Sequence, residues 1–184
     1  MAFYNRVAYK NEATRIFKEM DTANMSCAEI SGGFGKGFGF KEYEEFHFPD
    51  YDICQGPFRD EKGKLRKFDV VIADQVWEHL ERPYAATKNV YQILKKGGQF
   101  YVCTPFYVRY HEFPVDCSRW SARGLKNLLI ECGFEEDKIW SDQWGNLQVA
   151  QADCRKKWTK YDASIHSLEN DPKFPIVAWA VGTR

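Results

Sequence analysis

The chain has 184 residues, which is the size of one domain and is enough for a sizeable core. Its 26 Lys and Arg residues balance its 26 Asp and Glu residues, so the formal net charge is zero and a nucleic-acid partner is disfavoured. No apolar run approaches the roughly 20 residues of a membrane span, and the N-terminus has no apolar signal region. The composition therefore predicts a cytoplasmic globular protein with no nucleic-acid or membrane partner.

Cysteine and histidine are spaced in ways that predict neither disulfides nor a metal site. The six cysteines form no C-x-x-C pair and several lie in apolar runs, so they are interpreted as reduced, buried thiols. The four histidines also lack a metal-ligand spacing, and no metal is expected. Aromatic residues reach 16%, which predicts a pocket or interface lined with rings in addition to the core.

Strand and helix patterns alternate along the chain. The first half is predicted to contain a helix over 8–20, strands over 26–30, 43–48, 51–54 (very short) and 68–73, and a helix over 78–94. The second half is predicted to contain strands over 100–103, 139–141 and 175–181 and helices over 121–132 and 147–161. This alternation predicts an α/β fold, a doubly wound and mostly parallel sheet with helices on both faces, in a single domain over 1–184.

A glycine-rich run follows the first predicted strand. That strand carries Glu29 near its end, and residues 31–39 then read SGGFGKGFG. Ligands of α/β sheets bind at the carboxyl ends of strands, where glycines let the backbone approach them. No long helix fits between Gly35 and the strand at Tyr43, so the helix after the glycine loop is predicted to be reduced or lost. The run also lacks the G-x-G-x-x-G pattern, which disfavours a nucleotide-dependent oxidoreductase.

A second block carries the most specific motif of the chain. Residues 68–80 read FDVVIADQVWEHL, residues 94–98 read LKKGG, and residues 100–105 read FYVCTP. Together with the acid and glycines of 29–35, this block resembles class I S-adenosylmethionine-dependent methyltransferases. The similarity extends over about residues 25–181. It implies a Rossmann-like sheet whose last strand is antiparallel, and it implies S-adenosylmethionine as the cofactor.

The resemblance also implies which residues hold the cofactor. The glycines would pass under its methionine and ribose portions, Asp52 would lie near the adenine, and the end of the fourth strand of the family would face the methionine end. For the acid that bonds the ribose hydroxyls, Glu45 and Glu44 are candidates and Asp50 is less favoured. The predicted cofactor residues are Glu29, Ser31, Gly32, Gly33, Gly35, Glu45, Asp52, Asp74 and Gln75.

The acceptor side is expected after the fifth strand of the family. His111 is the predicted general base, since the unperturbed pKa of imidazole suits proton removal near neutrality, and Asp116 is predicted to orient it or the acceptor. The open alternative is that Asp116 and Arg119 pair to fix a loop. The candidate acceptor contacts are Trp77, Phe106, Tyr107, Tyr110 and Arg119. Glu78 and His79 most simply begin a helix.

These features predict an enzyme that transfers a methyl group from S-adenosylmethionine to an O or N atom of a small molecule. The domain is expected to consist of an N-terminal helical segment (1–24), a cofactor-binding half (25–105) and an acceptor-side half (106–184). The absence of an inserted domain favours a small acceptor or a second subunit, as in a homodimer. The alternative is a non-catalytic methyltransferase-like binding or scaffold module, which the shortened glycine region favours.

Overall fold

The computed structural model describes residues 2–184. The helices are α1 (Tyr4–Lys18), α2 (Pro83–Ile93), α3 (Ala122–Glu131) and α4 (Leu147–Asp153). The strands are β1 (Ser26–Ile30), β2 (Glu42–Phe46), β3 (Phe68–Asp74), β4 (Leu94–Pro105), β5 (Ile139–Trp144) and β6 (Val177–Thr183). None of the helices in this part of the chain is long and apolar enough to cross a membrane.

The strands form one sheet in the order β2-β1-β3-β4-β6-β5. The pairs β1–β2, β1–β3 and β3–β4 are parallel, whereas β6 runs antiparallel to both of its neighbours. The predicted mostly parallel sheet with an antiparallel last strand is therefore confirmed. The carboxyl ends of β1, β2, β3 and β4 all point to one edge, where ligands of such sheets bind.

Helices cover both faces of the sheet. On one face, α2 and α3 bury residues such as Val90 and Leu128 against Val71 and Val102. On the other face, α1 and α4 bury Phe17 and Val149 together with a second set of strand residues. A sheet that is covered on both faces needs apolar side chains on both sides of each strand, and β1 is buried at all five of its positions.

The predicted third strand, 51–54, is wrong. A carboxylate oxygen of Asp52 accepts the backbone N–H of Cys54 at 2.9 Å, and the Asp52 carbonyl accepts the N–H of Gln55 at 3.0 Å. An aspartate that bonds the backbone two residues ahead makes a turn, which competes with a strand.

Two predicted helices are shorter than expected. The helix predicted over 78–94 begins at Pro83, whose missing N–H and fixed φ suit the first helical turn. The helix predicted over 147–161 ends at Asp153. Beyond it the chain turns over residues 154–157 and then bonds to the N-terminal segment, where the N–H of Tyr4 bonds the Thr159 carbonyl and the N–H of Tyr161 bonds the Ala2 carbonyl. Pairing with the N-terminal segment therefore replaces further helix.

The helix after the glycine loop is lost, as the sequence predicted. Residues 34–38 form a short 3₁₀ helix, and β2 starts soon afterwards at Glu42. Something other than a full helix must therefore hold the glycine loop in place.

Gly145, directly after β5, generates the first prediction. A Cβ at this position would lie 2.0 Å from the Phe174 carbonyl oxygen and 2.6 Å from the backbone nitrogen of Ile176. Backbone atoms cannot move aside cheaply, so Gly145→Ala should lower the free energy of unfolding by about 3 kcal/mol, the upper part of the overpacking range. Urea unfolding measures this change. Gly56→Ala is the control, since nothing lies within 4 Å of the added Cβ; equal stability of the two variants would contradict the packing described.

Candidate active site

The carboxylate of Glu29 holds the glycine loop from inside. Glu29 is fully buried near the end of β1. Its two oxygens accept the backbone N–H of Phe34 at 2.7 Å, the backbone N–H of Gly35 at 2.6 Å and the hydroxyl of Tyr43 at 2.7 Å. These bonds compensate for the cost of burying a charge. Glu29 therefore shapes the loop rather than facing a ligand.

The glycines 32 and 35 are required by this arrangement. A Cβ on Gly32 would lie 2.1 Å from an oxygen of Glu29, and a Cβ on Gly35 would lie 2.8 Å from the Cδ1 atom of Ile72. Gly33 differs, because its added Cβ would meet only an oxygen of Glu45, at 3.5 Å. Its φ of −161° is also open to any residue. The protein itself therefore does not demand a glycine at position 33.

Two residues at the carboxyl edge have left-handed backbone conformations. Ser31, after β1, has a φ of 53°, and Gln75, after β3, has a φ of 60°. Each conformation costs on the order of 1 kcal/mol for a residue other than glycine, and such strain concentrates at functional sites. The N–H of Gln75 bonds the Cys103 carbonyl at 2.8 Å, which ties this turn to β4. The strained turns mark the ends of adjacent strands as the place to look for a site.

A cavity of about 750 Å³ opens at these turns. Its walls come from the ends of β1, β2 and β3, from the 51–55 turn and from residues 113–115. The volume lies within the range of small-molecule and cofactor sites. We call it the first cavity.

The first cavity contains only part of the predicted cofactor set. Ser31, Asp52 and Gln75 line it. Glu45 does not; its carboxylate pairs with Lys36 at 3.1 Å and with His47 at 3.2 Å. Hydrogen bonds from His47 and Lys36 lower the pKa of Glu45. At the end of β2 the side chain that faces the cavity is therefore His47, which the sequence analysis did not select.

The other candidates for the ribose acid also lie outside the cavity lining. Glu44 pairs with Arg66, and Asp50 is exposed in the turn after β2. Asp74, at the end of β3, is half-buried, and desolvation of its carboxyl group raises its pKa to about 6. Among the predicted acids, Asp52 alone reaches the first cavity.

A second cavity, of about 390 Å³, adjoins the first. Gln75, His79 and Phe113 line both cavities. The second cavity continues between the start of α1, the segment after β4 and the residues before β6. Two compartments that meet at the end of a central strand suit a reaction between two bound molecules.

Three titratable side chains meet on the wall of the second cavity. One carboxylate oxygen of Glu78 and one ring nitrogen each of His79 and His111 lie within 4.8 Å of one another. His79 Nδ1 lies 2.5 Å from the Val115 carbonyl oxygen, which can only accept, so Nδ1 carries a proton. Burial raises the pKa of Glu78 to about 8, and its Oε2 atom has no hydrogen-bond partner among residues 2–184. Sequence spacing did not predict this group, because His111 comes from a distant segment.

Asp116 fixes the segment that carries His111. Its carboxylate pairs with Arg119 through two guanidinium nitrogens, one of them 2.6 Å away, and accepts the backbone N–H of His111 at 2.8 Å. The bond from Arg119 lowers the pKa of Asp116. The loop-fixing pair that the sequence left open is thus present, and it also positions His111 through its backbone.

The predicted acceptor contacts lie elsewhere. Trp77 is fully buried in the core, where its indole N–H bonds the Thr87 hydroxyl at 2.9 Å. Phe106 and Tyr107 line a separate surface cavity of about 320 Å³, and Tyr110 is exposed. Arg119 is committed to Asp116. None of these five residues lines either of the two adjoining cavities.

Sequence reasoning missed the contribution of the N-terminal helix. Asn5, Arg6 and Tyr9 from α1 line the second cavity, as do Asp153 and Trp158. Burial raises the pKa of Asp153 to about 7. The available signal was the helical spacing of α1, which indicated a buried face but not what that face would cover.

Comparison with known proteins finds a family match for part of the chain. Residues 14–102 match the family described as methyltransferase domain. No curated protein sequence matches the chain significantly.

Solved structures share the fold. A SAM-dependent methyltransferase from Archaeoglobus fulgidus superposes with a TM-score of 0.61 at 14% identity, covering 98% of this chain and 96% of that one. A putative methyltransferase of Haloferax volcanii, solved in complex with a methyltransferase activator, gives 0.60 at 15% identity, with 98% and 95% covered. Phosphoethanolamine N-methyltransferase 2 of Haemonchus contortus, solved with S-adenosyl-L-methionine, gives 0.60 at 11% identity, with 97% and 52% covered.

The sheet order, the ligand edge and the family match agree. Residues 14–102 match the methyltransferase-domain family, and the sheet has the fold of the class I, S-adenosylmethionine-dependent methyltransferases, as the sequence predicted. The cofactor of this class is S-adenosylmethionine.

Glu29→Gln tests the support of the glycine loop. The amide would place an N–H₂ donor either against the N–H of Phe34 or against the N–H of Gly35 and the hydroxyl of Tyr43, so the free energy of unfolding should fall by about 3 kcal/mol. Tyr43→Phe removes one of these donors and keeps the carboxylate, so about 1 kcal/mol is expected. Urea unfolding of both variants measures the order; a Glu29→Gln protein as stable as Tyr43→Phe would refute the internal role of this carboxylate.

Proposed function

We propose that this protein transfers a methyl group from S-adenosylmethionine to an oxygen or nitrogen atom of a small molecule. The observation that carries the proposal is the pair of adjoining cavities that share Gln75, His79 and Phe113 at the carboxyl edge of the sheet. The larger cavity would hold the cofactor and the smaller one the acceptor. The smaller volume and the zero net charge favour a small acceptor over a nucleic acid.

The residues present fit the cofactor at the larger cavity. Ser31 and Gln75 would face its methionine end from strained turns, and Asp52 would lie near the adenine. The loop 31–35, held by Glu29, leaves Gly33 without any internal reason to lack a side chain, which is expected where a ligand passes closely. Glu45 and Asp74 do not line this cavity and would act on the cofactor only through the residues beside them. When bound, S-adenosylmethionine supplies an electrophilic methyl group.

The chain's own residues would orient the acceptor and take its proton. We propose that His111 accepts the proton of an acceptor hydroxyl as the methyl group is transferred, so that the acceptor becomes an ether and the imidazole becomes imidazolium. His111 lines the second cavity, and Asp116 holds its backbone. Burial and the neighbouring His79 lower the pKa of His111, so it is uncharged and able to accept a proton at neutral pH.

The division of the chain into halves is part of the proposal. The cofactor would bind mainly to residues 25–105 and the acceptor mainly to residues 106–184. The segment 1–24 would contribute Asn5, Arg6 and Tyr9 to the acceptor cavity, which supports a functional as well as a structural role for it.

Cofactor binding is tested by thermal unfolding with S-adenosylhomocysteine. A ligand that binds only the native state at 100 times its dissociation constant adds about 2.7 kcal/mol, which corresponds to a rise in Tm of about 5–10 °C in a chain of this size. Gly33→Val should abolish the rise while preserving the fold, because its added Cβ makes only an ordinary contact with Glu45, at 3.5 Å, and its side chain would fill the space proposed for the ligand beside the loop. Gly37→Val, with nothing within 4 Å of its added Cβ, should retain the rise.

A wild-type protein that shows no rise with millimolar S-adenosylhomocysteine would contradict this proposal. That outcome would favour the non-catalytic methyltransferase-like module, which the shortened region after the glycine loop makes the natural rival.

The pH dependence of turnover tests the base. Since the pKa of His111 lies below its ordinary value, kcat/KM on a hydroxyl acceptor should fall as the pH drops below about 6.5 and the imidazole gains a proton. His111→Ala should lower turnover by roughly 10²-fold and remove this acid limb. S-adenosylhomocysteine binding should be unchanged in the variant.

A metal chelator provides the control for this experiment. If His111 acts as a base without a metal ion, wild-type turnover should be the same with and without chelator. Loss of turnover on chelation, or an acid limb that persists in His111→Ala, would remove His111 from the role of base.

A further inference from the structure

Two arginines on the wall of the second cavity have no carboxylate partner. Arg6, in the first turn of α1, and Arg109, after β4, both line this cavity. Among residues 2–184, neither makes an ion pair within 4.0 Å, whereas the neighbouring Arg119 is committed to Asp116. An unpaired guanidinium keeps its capacity to bind an oxyanion with two parallel hydrogen bonds.

Arg109 is held in place before any ligand arrives. Its guanidinium carbon lies 3.7 Å from the centre of the Trp158 ring, and its Nη1 atom donates to the Arg155 carbonyl at 3.0 Å. Stacking covers one face of the guanidinium and leaves donors on its edge free. An arginine fixed in this way loses little side-chain entropy on binding, which is the usual cost of such contacts.

The acids in the same cavity do not cancel this positive charge at neutral pH. Glu78 and Asp153 also line the cavity, but burial raises the pKa of Glu78 to about 8 and that of Asp153 to about 7. Much of their population is therefore protonated near pH 7, while both arginines remain charged. The balance of charge on the cavity wall is positive.

The rest of the wall of the second cavity consists mainly of apolar side chains and of the two histidines. Phe3, Val108 and Trp158 supply apolar contact area, and His79 and His111 lie where the acceptor atom would be activated. A molecule that uses every part of this wall needs a hydroxyl or amine to be methylated and an anionic group for the arginines.

We propose that the methyl acceptor is an oxyanion, a small molecule bearing a carboxylate or phosphate group, and that Arg6 and Arg109 bind this group. The inference rests on the proposed function for the identity of the cavity as the acceptor site. The binding of an anion to the two arginines can nevertheless be measured without any turnover.

The experiment uses inorganic phosphate and acetate as probes of the full chain saturated with S-adenosylhomocysteine. Each probe is titrated while the indole N–H resonance of Trp158 is followed by NMR, because this ring lies against Arg109. Saturable shifts of this resonance are expected. A tighter response to phosphate than to acetate would identify a phosphate-bearing acceptor, and the reverse order a carboxylate-bearing one.

Arg109→Gln and Arg6→Gln should each weaken binding of the preferred probe by about 10-fold or more, the effect of losing one charge-assisted contact. Arg155→Gln is the matched control, because only the backbone carbonyl of Arg155 contacts Arg109; its affinity should equal that of the wild type. All three variants should keep the full rise in Tm with S-adenosylhomocysteine.

Two results would overturn the proposal: no saturable shift with either probe, or equal affinities in Arg109→Gln and Arg155→Gln. Failure of the proposed function has a different signature. The wild-type protein would then show no rise in Tm with S-adenosylhomocysteine, whatever the anions do to Trp158 in the protein without that ligand.

Discussion

The buried carboxylate of Glu29 is the constraint on which the ligand edge of this protein depends. In a doubly wound sheet a glycine loop normally leads into a helix, which packs on the sheet and holds the loop. Here only a short 3₁₀ helix follows, and Glu29 instead ties the loop from below through the N–H groups of Phe34 and Gly35. A fully buried charge is tolerated because its two oxygens accept three hydrogen bonds. The shortened chain thus keeps the shape of the loop by electrostatics where packing of a helix is missing.

The same edge brings two kinds of environment together. The first cavity is bordered by turns that fix backbone positions, and the second by side chains whose protonation is shifted by burial. Gln75 joins the two, since it follows β3 in a left-handed conformation and its N–H is bonded to β4. A group transferred from one cavity to the other would pass this residue and His79. Methyl transfer requires alignment and exclusion of water more than it requires acid–base chemistry, and rigid turns provide such alignment.

The sheet could be predicted from the sequence because its signals are local. The apolar β-branched run of β3 and the alternation of strands with helices predict the core strands. The resemblance of residues 68–80 to a family motif predicts how these strands are ordered in the sheet. The errors came from interactions that are distant or compete locally. Asp52 turns the chain where a strand was expected, and pairing with the N-terminal segment ends α4 early. Neither effect is visible in periodicity.

The site was less predictable than the sheet for a related reason. Residues within the motifs that resemble the family, such as Glu29 and Gln75, could be selected, but their roles depend on which partner each side chain finds. Glu29 faces inward and Trp77 packs in the core, while Arg6 and Trp158 reach the second cavity from opposite ends of the chain. Because these segments are remote in the sequence, no spacing pattern indicates that they meet at one cavity.

The second cavity is lined both by residues of the buried core and by residues outside it, and this has a consequence for how such a protein can evolve. Tyr9, Ile176 and Val177 line this cavity and also belong to the buried core around α1, so changing them to suit a new acceptor would cost stability. Arg6 is exposed and Arg109 is half-buried, so exchanging them should cost less stability than changing those core residues. Descendants of this chain would therefore diversify their acceptors first through charge and only later through shape.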